Sequence, residues 1–408
     1  MDPKELTSDG YARALALRDL TDAAGGPHAL QSLLAELVTS LRQAWGCDVI
    51  VHRGSPVVSV EDNYGRLGYP PDAAARDARY TRYVTATCVL RTHTSAMIPG
   101  LLSTIASAGY TDVLLVCPGL VYRRDRIERL SVGEPHQLDL WRISNASLDE
   151  SDLGGMIAVV LAAALPAHDY RARPTSHPYT RKGLEVEVDD GGRWVEVAEC
   201  GIASPAVLRG AGLASKYSGL AMGIGLDRLL MLRKGIDDIR LLRSDDERVG
   251  SQMLDLRRYK PVSSQPPAIR DISIAVGNNV DAEQLGDRVR TALAVAAEAI
   301  ESMTVLAETP ADGLPPQAVE RLGLEPGQKN MLVRLVLRHA TRTLTDAEAN
   351  GLRDLVYSVI HEGSIHQWAS SRRASPAAPR STPSSLRPRF DHHTGQCPGQ
   401  ESNLRHAP

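Results

Sequence analysis

Apolar side chains recur at Leu30, Leu33, Leu34, Leu37, Val38 and Leu41. Three-to-four spacing of this kind lines one side of a helix, so a helix is predicted over residues 28–45. A strand-like run, CDVIVHRGSPVV, follows it and ends near Pro56. Residues 64–77 read as a loop-rich connector, because the Pro70-Pro71 pair excludes regular structure. Strand signals then fall at 83–90, 113–117, 121–124 and 136–143, and a helix fits 152–165. Further strands fit 184–188, 194–198 and 219–223, before a helix over 226–233. Strands arriving mostly as hairpins, with helices around them, imply an α+β fold on a largely antiparallel sheet. A parallel Rossmann sheet is excluded, since neither regular βαβ alternation nor a Gly-rich first turn is present.

The linker RRYKPVSSQPP, residues 257–267, separates this core from a second unit. There the pattern predicts a strand (270–276), a helix (282–302), a variable strand (303–306), a strand (330–338) and a helix (345–362). The order is βαββαβ-like, with the last strand poorly marked. From Ser370 onward, Ser/Pro/Arg-rich sequence has too little apolar content for a core, and a disordered tail is expected over 369–408. Its end, HHTGQCPGQESNLRHAP, is unlike any domain.

Composition narrows the picture. A chain of 408 residues has room for two or three domains, and a formal net charge of −3 gives no global field for nucleic acid. Any RNA contact must therefore rest on a local basic patch. The single Phe, Phe390, falls in the tail. Cys47, Cys88, Cys117, Cys200 and Cys397 show no CxxC spacing, so reduced buried thiols are expected rather than disulfides or a zinc site. No window reaches eighteen apolar residues and the N-terminus lacks an apolar signal core, which points to a soluble cytoplasmic protein.

The chemistry-bearing segments are VYRRDRIERLSVGEPHQLDLW, residues 121–141, and GLAMGIGLDRLLM, residues 219–231. Two arginines from distant parts of the chain, Arg123 and Arg228, suit a polyanion clamp, because guanidinium meets phosphate oxygens bidentately and stays charged. Together the segments resemble motifs 2 and 3 of class II aminoacyl-tRNA synthetases, specifically the phenylalanyl-tRNA synthetase family. The 28–56 layout resembles motif 1, the connector resembles the segment ending P-x-D-H-P-A-R-D, and LRTHTS, residues 90–95, is nearly identical to a family motif. The resemblance covers roughly residues 28–365. It implies a class II antiparallel-sheet catalytic core (1–256), followed after the linker by a ferredoxin-like anticodon-binding domain (268–368). It also implies ATP and Mg²⁺ as cofactors, with tRNA and an amino acid as partners, and an aminoacyl-adenylate formed before transfer to tRNA. On this basis Arg123 meets the α-phosphate and Arg228 the γ-phosphate side. Asp125, Glu185, Glu187 and Glu196 are acidic candidates for the metal or ribose. His93 and Ser95 hold the α-amino group, with Gln137 nearby.

The chain also departs from the family. The family's F-P-F-[TV]-[HE]-P, whose rings surround the substrate phenyl, is matched to RPTSHP, which places Arg173 and Thr175 at the ring positions. Glu199 stands where the family has a pocket glycine. In H-x-x-x-F-H-Q, Ser131 and Pro135 replace the phosphate-reaching histidine and the adenine-stacking ring, and Pro135 is left to cover one face of the base. These changes keep two alternatives open: a paralogue activating a more polar amino acid, and a non-catalytic RNA-binding relative. For RNA, the second unit offers Arg270, Arg334 and Arg342, with Arg338 and His339. The motif 1 helix is a dimer element in most class II enzymes, so monomer and homodimer are both expected.

Overall fold

The computed structural model describes residues 5–262, 266–339 and 342–366, together with the backbone of 403–406. The chain opens with α1 (Ser8–Ala16) and α2 (Ala29–Trp45). On α2 the predicted stripe is the buried one: Leu30, Leu33, Leu37 and Leu41 are all fully buried. His28 Nδ1 accepts the Leu30 N–H at the helix start, and Gly46 ends it in the left-handed region at φ 63°. Truncating any one of these leucines to Ala is expected to cost about 2–5 kcal/mol.

Next come β1 (Asp48–Arg53), β2 (Val57–Ser59), α3 (Val60–Asn63), β3 (Cys88–Leu90), α4 (Ile98–Ala108), β4 (Asp112–Leu120) and β5 (His136–Ser144). They are followed by α5 (Glu150–Ala164), β6 (Tyr170–Pro174), β7 (Thr180–Asp190), β8 (Arg193–Ala203), α6 (Pro205–Gly210), β9 (Ser218–Gly225), α7 (Leu226–Lys234) and α8 (Glu247–Gly250). The main sheet runs β1-β4-β5-β9-β8-β7-β6 and is antiparallel except for the parallel β1–β4 pair. This is the expected α+β class with a mostly antiparallel sheet. Helices α2, α5 and α7 pack on one face around the largest hydrophobic core. A capping box in which Asp149 and Asp152 exchange bonds starts α5.

Local boundaries differ from the pattern. Of residues 83–90 only β3 is strand, and 121–124 is not strand, because β4 ends at Leu120 and the chain turns into a long loop. Helix α4, absent from the expected elements although Ile98, Leu101, Leu102 and Ile105 fall at helical spacing, is buried along that stripe, whereas edge strand β6 carries no clear periodic signal. Cys47, Cys117 and Cys200 are free and buried. Among the described residues no helix is long and apolar enough to cross a membrane.

The second unit contains β10 (Ala268–Gly277), α9 (Ala282–Leu293), β11 (Ile300–Pro310), α10 (Pro316–Leu322), β12 (Gln328–Leu337) and α11 (Asp346–Ile360). Its antiparallel sheet has the order β10-β12-β11, with its own hydrophobic core. The predicted 282–302 helix stops at Leu293, where Ala294 takes φ 47°, and β11 begins at Ile300. Among the described residues no final strand completes the βαββαβ order, and the short α10 is inserted between β11 and β12. The tail expected to be disordered lies outside the described residues, apart from β13 (Asn403–His406), which pairs antiparallel with β1.

The two units share an extensive contact. Residues 121–135, between β4 and β5, lie against α9 and β11. Ile127 is buried within the second unit's core, and its carbonyl accepts the Met303 N–H at 2.9 Å. Arg290 donates to the Asp125 carbonyl at 2.6 Å, and Arg82 bridges Glu134 and Asp287. The first half of the linker is held on the core, where the buried Lys234 donates to the carbonyls of Asp255 and Arg257 at 2.7 and 2.6 Å.

Candidate active site

A cleft opens over one face of the main sheet, at the point where the 121–135 loop returns into β5. Its walls include His93, Ser95, Arg123, Asp125, Pro135, Gln137, Glu196, Glu199 and Arg228. Nine side chains named from the sequence thus come together from five separate stretches of chain. Arg123 is oriented by its Nε, which donates to the Thr92 carbonyl at 2.8 Å. Arg228, on the first turn of α7, donates to the Glu196 carbonyl at 2.6 Å and lies 3.7 Å from the Glu196 carboxylate. Behind Arg228, the buried Asp227 accepts the backbone N–H and the Nδ1 of His136 at 2.6 and 2.8 Å. Burial alone would raise the Asp227 pKa, but His136 and Arg243 pull it below the usual value. This buried pairing ties the loop's return point to α7.

The other end of the cleft suits an ammonium group. Successive residues of a strand face opposite ways, so Gln137, Asp139 and Trp141 of β5 share one side. Asp139 accepts from Thr94 Oγ1 at 2.8 Å, Ser95 Oγ at 2.9 Å and Trp141 Nε1 at 3.2 Å. Burial raises its pKa, and these hydroxyl bonds oppose that. The His93 imidazole is driven down to about 3, first by burial and then by the Arg123 charge, with the nearby Asn63 backbone a small opposing influence. Both its ring nitrogens are buried without a partner at hydrogen-bond geometry among the described residues. A neutral imidazole of this kind can accept from an ammonium, and an orphaned buried polar group marks a place where a ligand supplies the missing bond.

Arg173 and Thr175 do not reach the cleft. Arg173 projects from edge strand β6 and pairs with Glu187 at 3.0 Å, with 57% of its side chain exposed. Thr175 joins β6 to β7 through its N–H, which donates to the Gly183 carbonyl at 2.9 Å. The ring positions are instead taken four residues later. His177 lies 3.1 Å from Glu199, and Tyr179 stacks on Trp141 at 6.1 Å between centroids. Tyr179 also tilts against Tyr69, which stacks on His93 at 6.0 Å. Of these residues Tyr179 lines the cleft, where Arg173 and Thr175 do not. Sequence reasoning missed Asp139, Trp141, His177, Tyr179 and Tyr69. Stepping by two along β5 from Gln137 finds the first two.

Acidic groups gather beside Arg228. In the sheet register Glu185 faces Glu199, and Glu199 faces Gly223, next to Asp139. Glu196 is raised by burial, against the pull of Arg228, and further by the charges of Glu199 and Glu185. Glu187 is turned to Arg171 and Arg173 instead. Among the described residues no set of three or more His, Cys, Asp or Glu side chains is arranged to hold a metal alone.

The three arginines of the second unit do not share a face. Arg270 binds Asn350 and Asp346 of α11, on the helix-covered side of β10. Arg334 makes a two-bond fork with Asp271 at 2.8 Å each, and Arg342 pairs with Glu348 beyond the sheet.

The phenylalanine–tRNA ligase alpha subunit of Prochlorococcus marinus is 38% identical over 199 residues, 48% of this chain and 58% of that subunit. The chain thus spans somewhat over half the length of that relative. The chloroplastic/mitochondrial phenylalanine–tRNA ligase of Arabidopsis thaliana is 29% identical over 323 residues, covering 76% of this chain and 70% of that one. Among solved structures, a pyrrolysyl-tRNA synthetase from Desulfitobacterium hafniense aligns with a TM-score of 0.42 at 18% identity, over 57% of this chain and 77% of that one. The family model for the tRNA synthetase class II core domain (F) matches residues 16–253, more than half of the chain. The chain belongs to the class II tRNA synthetase core family of type F.

Proposed function

We propose that this protein is an ATP-dependent aminoacyl-tRNA ligase of the phenylalanine–tRNA ligase kind. One observation carries the reading: a single cleft holds a cationic end, Arg123 and Arg228, and an ammonium-accepting end, His93, Ser95 and Asp139. An amino acid held at the second end directs its carboxylate toward a triphosphate held at the first. The carboxylate oxygen attacks the α-phosphorus, an acyl–phosphate bond forms, and the bond to pyrophosphate breaks. Arg123 neutralises charge on the α-phosphate and Arg228 takes the γ-phosphate side, with Asp125 and Pro135 beside the nucleoside. Preorganised cations facing developing charge are worth about 10²–10³ in rate each. No side-chain nucleophile is needed. The aminoacyl group then passes to a hydroxyl at the 3′ end of tRNA.

The residues present fit Mg²⁺, which takes one or two carboxylates and draws its remaining ligands from phosphates and water. Glu196 and Glu185 would hold it, and it would supply positive charge to neutralise the phosphates. The second unit's order, βαββα with the short α10 inserted between β11 and β12, and its β10-β12-β11 sheet support a ferredoxin-like anticodon-binding domain. Arg334 and Arg342 stand on its surface as candidate RNA contacts, each already paired with a carboxylate. Arg270 supports the domain's packing rather than RNA contact. Cytoplasmic location and a monomer or homodimer complete the reading.

Amino-acid-dependent exchange of pyrophosphate into ATP tests it. Exchange above background with at least one amino acid is the expected result. RNA binding with no exchange for any amino acid would replace the reading with a non-catalytic one.

A further inference from the structure

Beside Tyr179 the cleft presents a carboxylate, Glu199, which is hydrogen-bonded to His177 behind it. Glu199 occupies the same cross-strand row as Gly223 and Asp139, so its side chain points into the cleft rather than through the sheet. Gly223 leaves the floor of that row open, since a Cβ there would meet nothing closer than 3.8 Å. His177 Nε2 sits 3.1 Å from Glu199 Oε2, and the two side chains are only 17% and 37% exposed. The His177 ring lies 5.5 Å from that of Tyr179. Tyr69 completes the surround: burial first and the Glu199 charge second push its hydroxyl up to about 12, so it stays a protonated donor.

This arrangement has consequences for what binds. Glu199 spends one oxygen on His177 and keeps lone pairs for a second donor. A phenyl ring seated against the pair strips water from the Glu199 carboxylate and its imidazole partner and returns no hydrogen bond. Loss of that hydration is costly for a partly buried pair, whereas a hydroxyl or carboxamide replaces it. Selectivity from this source is asymmetric, because a site built to bond a polar group rejects the analogue lacking it by up to about 10⁴–10⁵. The His93 nitrogens, buried in the same cleft without a partner of good hydrogen-bond geometry among the described residues, offer a bound ligand further polar atoms.

We propose that His177 and Glu199 set amino-acid choice, selecting substrates whose side chain ends in a group that both donates and accepts hydrogen bonds, a hydroxyl or carboxamide, over phenylalanine. The proposal rests on the adenylate-forming reading above.

The test uses the full chain in pyrophosphate exchange with each of the twenty amino acids. Serine, threonine, tyrosine, asparagine and glutamine are the positive class. Wild-type kcat/KM for one of these should exceed that for phenylalanine at least about 100-fold. His177→Phe/Glu199→Gly should invert the ratio, and Glu199→Gln, which keeps the shape, should reduce it about 10-fold or more with unchanged KM for ATP. A merely structural ion pair would alter thermal stability without inverting the ratio. Wild-type preference for phenylalanine, or for an amino acid without such a group, overturns this proposal and leaves the adenylate reading intact. Exchange with no amino acid overturns the adenylate reading instead. Calorimetric titration of the same amino acids then decides selectivity by itself, with tighter binding of phenylalanine counting against the proposal and tighter binding of the polar class for it.

Discussion

Gly286 lies on the face of α9 that presses against the 121–135 loop, and a single added carbon there sets two effects against each other. Alanine is favoured over glycine inside a helix by about 1 kcal/mol, so propensity alone predicts a more stable protein. The structure predicts the opposite. A Cβ at 286 would stand 2.7 Å from the Asp125 carbonyl oxygen, 3.3 Å from the Ile127 nitrogen and 3.4 Å from the Arg126 Cα. All three are backbone atoms, so no side chain can swing aside. Overpacking of this kind costs about 1–3 kcal/mol. Pushing the loop away also lengthens the 2.6 Å bond from Arg290 to the Asp125 carbonyl, a charge-assisted bond worth roughly 1.5–3 kcal/mol when intact. The net expectation for Gly286→Ala is a loss of about 1–3 kcal/mol, since the helix gain offsets only part. Urea titration should show a lower midpoint with an unchanged slope. Because the same loop carries Arg123 and Asp125, KM for ATP in the exchange assay should rise several-fold. A variant stabilised by about 1 kcal/mol with unaltered KM for ATP would refute the reasoning, because propensity would then have decided the outcome and α9 would not be pressing on the loop.

Three further expectations are simpler to state. Arg123→Ala and Arg228→Ala should each lower kcat in pyrophosphate exchange about 100-fold or more, while circular dichroism and urea midpoints stay near wild type. The His177–Glu199 pair should give a pH-dependent difference in melting temperature between wild type and His177→Gln. The shared hydrogen bond raises the folded pKa of His177, so its contribution is full below the ordinary imidazole value of 6.5 and fades as pH rises through the raised value. The same bond lowers the folded pKa of Glu199, so its part is full above the ordinary carboxylate value of 4.5 and fades as pH falls through the lowered one. The difference should therefore peak between pH 4.5 and 6.5, and a flat profile would contradict the pairing. Asp149→Ala removes the cap of α5, which accepts the N–H groups of Ser151 and Asp152, and should cost about 1 kcal/mol in urea titration.

Much of this arrangement was legible before any coordinates, for physical reasons that differ by element. The α2 stripe was readable because a helix on a sheet must bury one side, and five leucines at helical spacing admit one solution. That Arg123 and Arg228 share one cleft was readable because motif order and spacing place them at the start of a loop and the start of a helix. The pocket wall was misplaced by four residues because Pro174 and Pro178 offer two equivalent anchors for the same short motif. Exposed edge strand β6 adds no apolar alternation that would choose between them. The early end of α9 was hidden for a different reason: the alanines from 294 onward favour helix locally, and tertiary packing turns the chain at Ala294 against that preference. The packing of the loop on the second unit has no local signal at all, since Ile127 reads as one isolated apolar residue in a charged run.

That buried Ile127 bears on how the protein can be taken apart. Its side chain belongs to one unit by sequence and to the other by packing, so the covalent boundary and the folding boundary do not coincide. A chain cut at Lys260 would leave an isoleucine and an unsupported loop facing water at the mouth of the cleft, with Arg82 keeping Glu134 but losing Asp287. Weak activity in such a fragment would report the lost support beneath the loop, and would say little about the chemistry of the intact protein.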